Sequence, residues 1–245
     1  MARYKRPAMA IFSFERTLFG EIQFDMRSGV SAVTAAIARD GRHYDDGRIC
    51  GEFAAAANVL WSDRDPYGSR RVTTEMIWRY LIAYFEIETK LLPAQIDRIF
   101  CEAACRVRPN AEAADILELL ANRLVRTAVA ADVLYSAAWV EDVIDAAFPN
   151  HMLEFTVCSS EFIFGRGEKK FFEILQSKAA ISMSDIWYIG SDPAKDVDAA
   201  DEAGMVPFWY RGDLPASGIR PPRCDYVAID EWARLASIIS ELIPF

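Results

Sequence analysis

The sequence predicts an α/β fold, a doubly wound parallel sheet interrupted by an all-α subdomain. Short, continuous apolar runs alternate with helical patterns over most of the chain, as in parallel strands that are covered on both faces. Between about residues 22 and 105 the alternation stops, and helical patterns follow one another without a strand. With 245 residues, of which 52% are hydrophobic, the chain is long enough to bury a sizeable core.

Six apolar runs are predicted to form the strands of the sheet: Met9–Phe14, Thr127–Val133, Glu154–Cys158, Ile186–Ile189, Val206–Tyr210 and Tyr226–Ile229. Helical patterns lie between or after them, at Ala111–Ala121, Ala137–Phe148, Lys169–Lys178, Ala194–Ala203 and Asp230–Leu242. Strands that lead into helices in this way predict a doubly wound sheet.

The inserted subdomain is predicted to contain four helices: Ser28–Arg39, Asp45–Trp61, Thr74–Glu86 and Pro93–Arg106. We therefore divide the chain into an α/β core of residues 1–21 and 106–245 and a helical subdomain of residues 22–105. The subdomain carries an aromatic group, which we interpret as its core, with a ligand-facing set as the alternative. Its members are Trp61, Trp78, Tyr80, Tyr84 and Phe85.

Charge and cysteine content exclude several classes of partner and site. A net charge of −9 disfavours nucleic acid. No apolar run approaches the roughly 20 residues that span a membrane. The five cysteines lack a disulfide-framework spacing, which predicts reduced thiols and a cytoplasmic location. Cys101 and Cys105 are interpreted as buried side chains, because no histidine or further cysteine is grouped with them to bind a metal.

Two segments carry the candidate chemistry. The first, residues 10–19, reads Ala-Ile-Phe-Ser-Phe-Glu-Arg-Thr-Leu-Phe. The second contains Gly-Ser-Asp-Pro-Ala-Lys-Asp at residues 190–196 and continues to Ala-Gly-Met at 203–205. They resemble the first and fourth motifs of the haloacid dehalogenase (HAD) superfamily of phosphatases. The order of strands around the helical insertion is also similar, and the likeness covers essentially the whole chain. It implies a HAD-like core with an inserted helical cap.

The resemblance implies a role for each position of the first motif. An active member attacks phosphorus with an Asp carboxylate, and that position is Ser13 here. A second Asp acts as acid and base, and its position is Glu15, which could instead pair with Arg16 or Arg166. Thr17 is retained.

The second and third motifs hold the phosphoryl oxygens in the family. The phosphate-binding Ser position is Ala131, although a shifted alignment offers Ser136 instead. The Lys position is Arg166, with Lys169 and Lys170 as alternatives. Arginine keeps the charge and changes the geometry.

The fourth motif supplies acidic ligands for Mg²⁺ in the family. Its first acidic position is Ser191, whereas Asp192 and Asp196 remain and allow weak Mg²⁺ binding. Asp192, which precedes Pro193, is alternatively a helix cap, and Asp196 could hydrogen-bond its own loop. The acidic side chains of residues 196–202, including Asp198, are interpreted as a solvated helix face.

These changes predict a HAD-like protein that has lost phosphatase activity and acts as a binding, regulatory or assembly component. Its partner would be a small phosphorylated ligand or a protein. A third reading is a pure interaction module whose docking surface is the helical insertion. The alternative is an active Mg²⁺-dependent hydrolase of small phosphorylated metabolites, with Glu15 and Asp192 in a rearranged site and Arg166 as phosphate clamp.

Overall fold

The computed structural model describes residues 5–38, 43–60, 72–212 and 218–243. The chain divides into two compact units. The α/β unit comprises Met1–Glu21, Arg108–Asp132 and Ile144–Phe245, and the helical unit comprises Ile22–Val107 and Val133–Val143. The sequence places residues 133–143 in the α/β core, whereas in the structure they belong to the helical unit.

The strands are β1 (Met9–Ser13), β2 (Gln23–Phe24), β3 (Cys105–Arg106), β4 (Arg126–Ala131), β5 (Leu153–Cys158), β6 (Ile186–Gly190), β7 (Val206–Tyr210) and β8 (Val227–Ile229). The α-helices are α1 (Met26–Ile37), α2 (Asp46–Leu60), α3 (Thr74–Tyr84), α4 (Pro93–Ala104), α5 (Ala113–Asn122), α6 (Ala137–Ala147), α7 (Lys169–Ala179), α8 (Ala199–Glu202) and α9 (Trp232–Leu242). A π-helix, Pro193–Asp198, immediately precedes α8.

The α/β unit is built on a six-stranded sheet in the order β5-β4-β1-β6-β7-β8. Every neighbouring pair in it is parallel, which confirms the predicted fold class. All five residues of β1 are buried, because helices cover both faces of the strand. Met9 and Ile11 join the core formed with Phe171 and Phe172 of α7. Phe12 points to the opposite face, where its ring lies 6.2 Å from that of Trp232 in α9.

The helical unit packs α1 closely against α4. A Cβ atom on Gly29 would come within 2.6 Å of the Phe100 ring, so only glycine allows this approach. Phe53 and Trp78 complete the aromatic core around Phe100, with ring centroids 4.9 and 5.4 Å from it. Tyr80 and Tyr84 are instead 40% and 56% exposed. The predicted aromatic core is therefore right for Trp78 and wrong for these two tyrosines, while Trp61 lies outside the described residues.

A two-stranded antiparallel ribbon, β2 with β3, lies at the two ends of the helical insertion. The sequence predicts no strand there, because two residues per strand are too few to show an alternating pattern. In the described part of the chain, no helix is long and apolar enough to cross a membrane.

Candidate active-site region at the carboxyl ends of β1 and β6

The candidate site lies where the order of the strands reverses. From β1 the sheet continues through β4 and β5 on one side and through β6, β7 and β8 on the other. Open α/β sheets bind ligands at this switch point, outside the carboxyl ends of the strands. Ser13 ends β1, Asp132 follows β4, and Ser191 follows β6. The first and fourth motifs therefore meet at one edge of the sheet, as the family resemblance implies.

Arg166 joins these strand ends. It comes from the loop before α7, and its Nη1 donates to Ser13 Oγ at 2.7 Å and to the two carboxylate oxygens of Asp196 at 3.0 Å each. Its Nε lies 3.9 Å from Asp132 Oδ2, an ion-pair distance that is too long for a hydrogen bond. Only 11% of the Arg166 side chain is exposed. The third-motif position thus contacts the first and fourth motifs directly.

The guanidinium of Arg166 stays protonated. Burial acts to lower its pKa, but the nearby carboxylate of Asp196, the Tyr188 side chain and the Asp132 carboxylate act in the opposite direction, and the net effect raises it. A protonated guanidinium has no lone pair with which to accept a proton. Arg166 therefore cannot act as the base that would turn Ser13 into a nucleophile.

Asp196 is fully buried and braces its own loop. Its Oδ2 accepts the backbone N–H of Ser191 at 2.9 Å and of Asp192 at 2.8 Å, and its Oδ1 accepts the Tyr188 hydroxyl at 3.2 Å. Burial raises the pKa of the Asp196 carboxyl, while Arg166 and the N–H of Asp192 act to lower it. This geometry matches the alternative in which Asp196 hydrogen-bonds the loop from within.

The π-helix and the absence of a side chain at Gly190 allow the Asp196 carboxylate to lie against the end of β6. Val197 N donates to Asp192 O, and Ala199 N donates to Ala194 O, so the backbone hydrogen bonds span five residues. The chain turns back over the end of β6, and a Cβ atom on Gly190 would lie 2.4 Å from Asp196 Cγ.

Asp192 caps the π-helix. Its Oδ1 accepts the backbone N–H groups of Ala194 at 2.9 Å and Lys195 at 2.8 Å, and Pro193 occupies the first helical position. These hydrogen bonds agree with the interpretation of Asp192 as a helix cap. They occupy Oδ1, one of the two carboxylate oxygens with which Asp192 would bind a metal.

The loop after β1 holds the other first-motif residues. Glu15 is partly buried and lines, with Arg166, Ser191 and Asp192, a pocket of about 270 Å³. Arg16 has a φ of 56°, and its Nη2 lies 2.9 Å from Glu21 Oε1.

Thr17 is fully buried, and its hydroxyl has no hydrogen-bond partner among the described residues. The retained threonine of the first motif therefore sits inside the loop rather than at its surface.

The two residues that the sequence offers for the phosphate-binding position of the second motif belong to different units. Ala131 is the buried last residue of β4, so the position offers a methyl group and no donor. Ser136 belongs to the helical unit, where its hydroxyl accepts the N–H of Trp139 at 3.4 Å. Ala131 thus offers no hydroxyl at the end of β4, whereas the hydroxyl of Ser136 makes a contact within the helical unit.

The three basic residues that the sequence offers for the third motif have different surroundings. Lys169 is exposed at the start of α7, and Lys170 pairs with Glu173 on the surface of that helix at 2.6 Å. Arg166 is the member of this group that contacts Ser13 and Asp196.

The prediction that the acidic side chains of residues 196–202 form a solvated helix face is wrong for Asp198. It is only 6% exposed, and it accepts the backbone N–H groups of Arg223 at 2.7 Å and Cys224 at 3.1 Å. Burial acts to raise its pKa, but the N–H groups of Cys224 and Arg223 and the Arg223 side chain outweigh it, so the pKa is lowered. The acidic stretch is therefore not wholly a solvated helix face, because Asp198 anchors a neighbouring loop.

The donor set does not fit the Mg²⁺ site that the family resemblance implies. Ser13 and Ser191 bring hydroxyl groups where carboxylates are expected, Asp192 caps a helix, and both oxygens of Asp196 accept from Arg166. Among the residues described, no group of three or more His, Cys, Asp or Glu side chains is arranged to hold a metal ion.

Two neighbours of Arg166, Asp132 and Tyr188, are not among the site residues predicted from the sequence. Asp132 lies near the end of the predicted strand Thr127–Val133, whereas the observed strand β4 ends at Ala131. A charged residue near the end of an apolar run was a usable signal, because strand ends converge at one edge of a parallel sheet. Tyr188 lies within a buried apolar strand, and nothing in its surroundings in the sequence indicates that its hydroxyl reaches Asp196.

Comparison with known proteins identifies the fold. No protein-family model matches the chain, and no curated protein matches it. A 2-haloacid dehalogenase from Pseudomonas syringae pv. Tomato is similar in structure with a TM-score of 0.57 at 16% identity, covering 95% of this chain and 99% of that one. A HAD phosphatase from Thermococcus onnurineus has a TM-score of 0.55 at 13% identity, covering 94% and 97%.

A third solved structure, the HAD-hydrolase YfnB from Bacillus subtilis bound to magnesium, has a TM-score of 0.53 at 15% identity. It covers 96% of this chain and 100% of that one. These likenesses confirm the HAD-like fold.

Proposed function

We propose that this chain is a HAD-fold protein without phosphatase activity, which acts by binding as a regulatory or assembly component. The observation that carries the proposal is the contact between Ser13 Oγ and Arg166 Nη1 at 2.7 Å. Ser13 holds the position of the family's nucleophilic carboxylate, and its oxygen accepts from a cation that cannot take up its proton. A covalent phosphoryl intermediate of the family's kind requires the missing carboxylate.

The charges around Arg166 favour a protein partner over a small phosphorylated ligand. The guanidinium pairs with Asp196 and lies near Asp132. The adjacent pocket is also lined by Glu15 and Asp192, and by Arg16, which pairs with Glu21. A phosphate group would meet these carboxylates and would compete with Asp196 for the guanidinium. The partner that we propose is accordingly a protein.

The neighbours in structure do not select a reaction for this chain. They include a phosphatase and several dehalogenases, so the same fold is associated with different substrates. The choice between activity and binding must therefore come from the site itself.

A hydrolysis assay tests the proposal. The full chain is incubated with p-nitrophenyl phosphate and, separately, with a 2-haloacid, each with Mg²⁺ and with EDTA. We expect no turnover above that of the Ser13→Ala variant. Mg²⁺-dependent hydrolysis that is lost in Glu15→Gln would instead establish the alternative, an active hydrolase with a rearranged site.

Calorimetry separates the two kinds of partner. Titration with inorganic phosphate at millimolar concentration should give no binding heat if the partner is a protein. Binding of phosphate that is lost in Arg166→Met would show that the pocket accepts phosphorylated ligands, and the proposal of a protein partner would then be wrong.

A further inference from the structure

We infer that the groove between α5 and residues 147–152 is the docking site for a basic amphipathic helix of a partner protein. The groove has a volume of about 370 Å³, and all the residues that line it belong to the α/β unit. Residues that lead into β4 and β5 line it, so it lies towards the amino ends of these strands, whereas the candidate site lies at the carboxyl ends. The inference rests on the proposed function in one respect, namely that the chain acts by binding a protein.

The floor of the groove is apolar. Leu117 of α5 and Phe148, which follows α6, are both buried and line it. Ala114 and Ala121 lie on the same face of α5 as Leu117, and their small side chains allow a second helix to approach closely. An amphipathic helix presents apolar side chains to a groove of this kind at every third or fourth residue.

At the end of α5, Leu124 occupies a position that favours glycine. Val125 N donates to Leu120 O at 3.0 Å, and Leu124 N donates to Ala121 O at 2.9 Å, which is the hydrogen-bond pattern of a Schellman motif. The motif gives Leu124 a φ of 57°, a left-handed conformation that is less favourable for any residue with a Cβ atom than for glycine. The core does not offset this cost, because Leu124 is 86% exposed.

Met152 is a second exposed apolar residue at the same edge of the sheet. It is 71% exposed and lines the groove. Leu124 precedes β4 by two residues, Met152 directly precedes β5, and Thr127 Oγ1 donates to Met152 O at 3.3 Å. An exposed leucine at a strained backbone position, close to a further exposed apolar residue and an apolar groove, indicates a surface that contacts a partner.

The charges around the groove favour a cationic partner. Glu118 lines the groove, and Asp115 is exposed about one turn earlier on α5. The side chain of Asp145 is 71% exposed and pairs at 2.9 Å with His151, which also lines the groove. Among the described residues that line the groove, none is Lys or Arg.

The two arginines that lie nearest in the chain do not line this acidic rim. Arg123 is buried, and its Nη1 donates to Ile243 O. Arg126 pairs with Glu154 through two hydrogen bonds. The carboxylates of the rim are therefore available to lysine or arginine side chains on the polar face of a docked helix.

The same carboxylates disfavour two other occupants. A second copy of this chain would bring identical negative charges to the contact, and its net charge of −9 would add to the repulsion. An anionic membrane surface attracts basic segments and repels acidic ones. A basic helix is the occupant that satisfies both the apolar floor and the acidic rim.

A synthetic peptide tests the inference on the full chain. The fluorescein-labelled probe has about 18 residues, with leucine at every third or fourth position and lysine at the others. We expect saturable binding by fluorescence anisotropy, and slower hydrogen exchange of residues 114–122 and 147–152 in the complex. A matched peptide with glutamate in place of lysine should bind at least about 10-fold more weakly.

Leu124→Gly separates a role in docking from a role in stability. Glycine suits the backbone at this position, so the melting temperature should stay the same or rise by about 2 °C. Binding of the lysine peptide should nevertheless weaken at least about 5-fold, because an exposed apolar contact is lost. Ala180→Gly is the matched control, since Ala180 is exposed after α7 with a φ of 55°, and its substitution should leave binding unchanged.

Glu118→Lys tests the acidic rim. The reversed charge should weaken binding of the lysine peptide at least about 10-fold. Glu202→Lys changes the net charge equally at an exposed position on α8, and it should change binding by less than about 2-fold.

Several results would overturn the inference: no binding of the lysine peptide, equal binding of the glutamate peptide, or binding that Leu124→Gly and Glu118→Lys leave unchanged. Binding to phosphatidylserine vesicles, or self-association of the chain, would also overturn it if either is lost in Leu124→Gly. The hydrolysis assay is a separate measurement. Turnover together with peptide binding would contradict only the proposed loss of activity, and absence of both would contradict only this docking site.

Discussion

At the scale of single residues, Gly190 controls the geometry around Asp196. The Asp196 carboxylate occupies the space that any side chain at position 190 would need, and it receives two backbone N–H groups there. The glycine therefore contributes to the candidate site although it has no functional group of its own.

Replacement of Gly190 by alanine should destabilise the protein by about 3 kcal/mol, since Asp196 Cγ would lie 2.4 Å from the new Cβ. Chemical denaturation measures the change. Gly51, an exposed helix residue with no heavy atom within 4 Å of the equivalent position, is the matched control. Gly51→Ala should be neutral or stabilising by about 0.5–1 kcal/mol. Equal effects of the two substitutions would contradict the packing described at Gly190.

The helical unit also has a buried carboxyl, that of Asp97. It is 3% exposed in α4, and the thiol of Cys101 donates to its Oδ1 at 3.7 Å. Burial raises the pKa of Asp97 to about 7, against hydrogen bonds from Thr74 and Cys101 that act to lower it. Its neutral form is therefore favoured in the folded state, and the unfolded chain releases the proton at lower pH.

The pKa of Asp97 gives the sign of a pH dependence. Between pH 4 and pH 7 the folded state binds more protons than the unfolded state, so this residue's contribution to stability falls as the pH rises. Asp97→Asn should gain stability relative to the wild type over that range, by up to about 4 kcal/mol. Denaturation at pH 5 and pH 8 measures the gain.

The control for Asp97 is Glu102→Gln, an exposed position on the same helix that pairs with Arg98. Its stability should follow the wild type at both pH values. A constant difference between Asp97→Asn and the wild type across this pH range would show that Asp97 titrates normally.

At the scale of elements, the π-helix after β6 begins at a strong cap. Asp192 satisfies two of its first backbone N–H groups, and asparagine can do the same without the charge. The cap and the metal-ligand hypothesis therefore predict different results for the two substitutions.

Asp192→Ala should cost about 1 kcal/mol of stability, whereas Asp192→Asn should stay within a few tenths of the wild type. Thermal or urea denaturation, carried out once with Mg²⁺ and once with EDTA, measures both changes. If the charge of Asp192 is what matters, the asparagine variant will lose as much stability as the alanine variant.

Elements differ in how far the sequence predicts them. The strands of the large sheet were predicted within about two residues, because each is a continuous apolar run with helices on both sides. The sequence did not predict that residues 193–202 divide into a π-helix and α8. A π-helix has about one additional residue per turn, and over a single turn this leaves no recognisable spacing of apolar residues. At the site, the resemblance of the motifs predicted that Ser13, Arg166 and Asp196 would lie in one region. It did not predict that Arg166 would bond to both other residues, because that depends on side-chain directions across three loops.

At the scale of the whole molecule, the helical unit is not a simple insertion. Within the α/β unit, the two chain segments that flank the insertion are joined by a hydrogen bond from Gly20 N to Arg108 O at 2.8 Å. Within the helical unit, Leu134 O accepts the N–H of Thr74 at 2.9 Å, and Trp139 is 3% exposed. Residues 133–143 therefore depend on the inserted helices for their packing.

Excision of residues 22–107, with Glu21 joined to Arg108 through a short flexible linker, should expose this segment. We expect a lower melting temperature and self-association, which circular dichroism and light scattering measure. The same excision with Trp139→Gln should associate less, because the largest uncovered apolar side chain is removed. A monomeric product with an unchanged melting temperature would contradict the assignment of residues 133–143 to the helical unit.

The bond from Arg166 to Ser13 joins residues 153 positions apart, and this separation has a kinetic consequence. Contacts between distant residues are entropically costly until the intervening chain is ordered. The bond can form only after β1, β6 and the loop before α7 have come together, so we expect it to be absent from the folding transition state. Substitutions at Arg166 would then accelerate unfolding and leave the folding rate nearly unchanged. The buried contacts of Arg166 would determine how long the native state persists rather than how quickly it is reached.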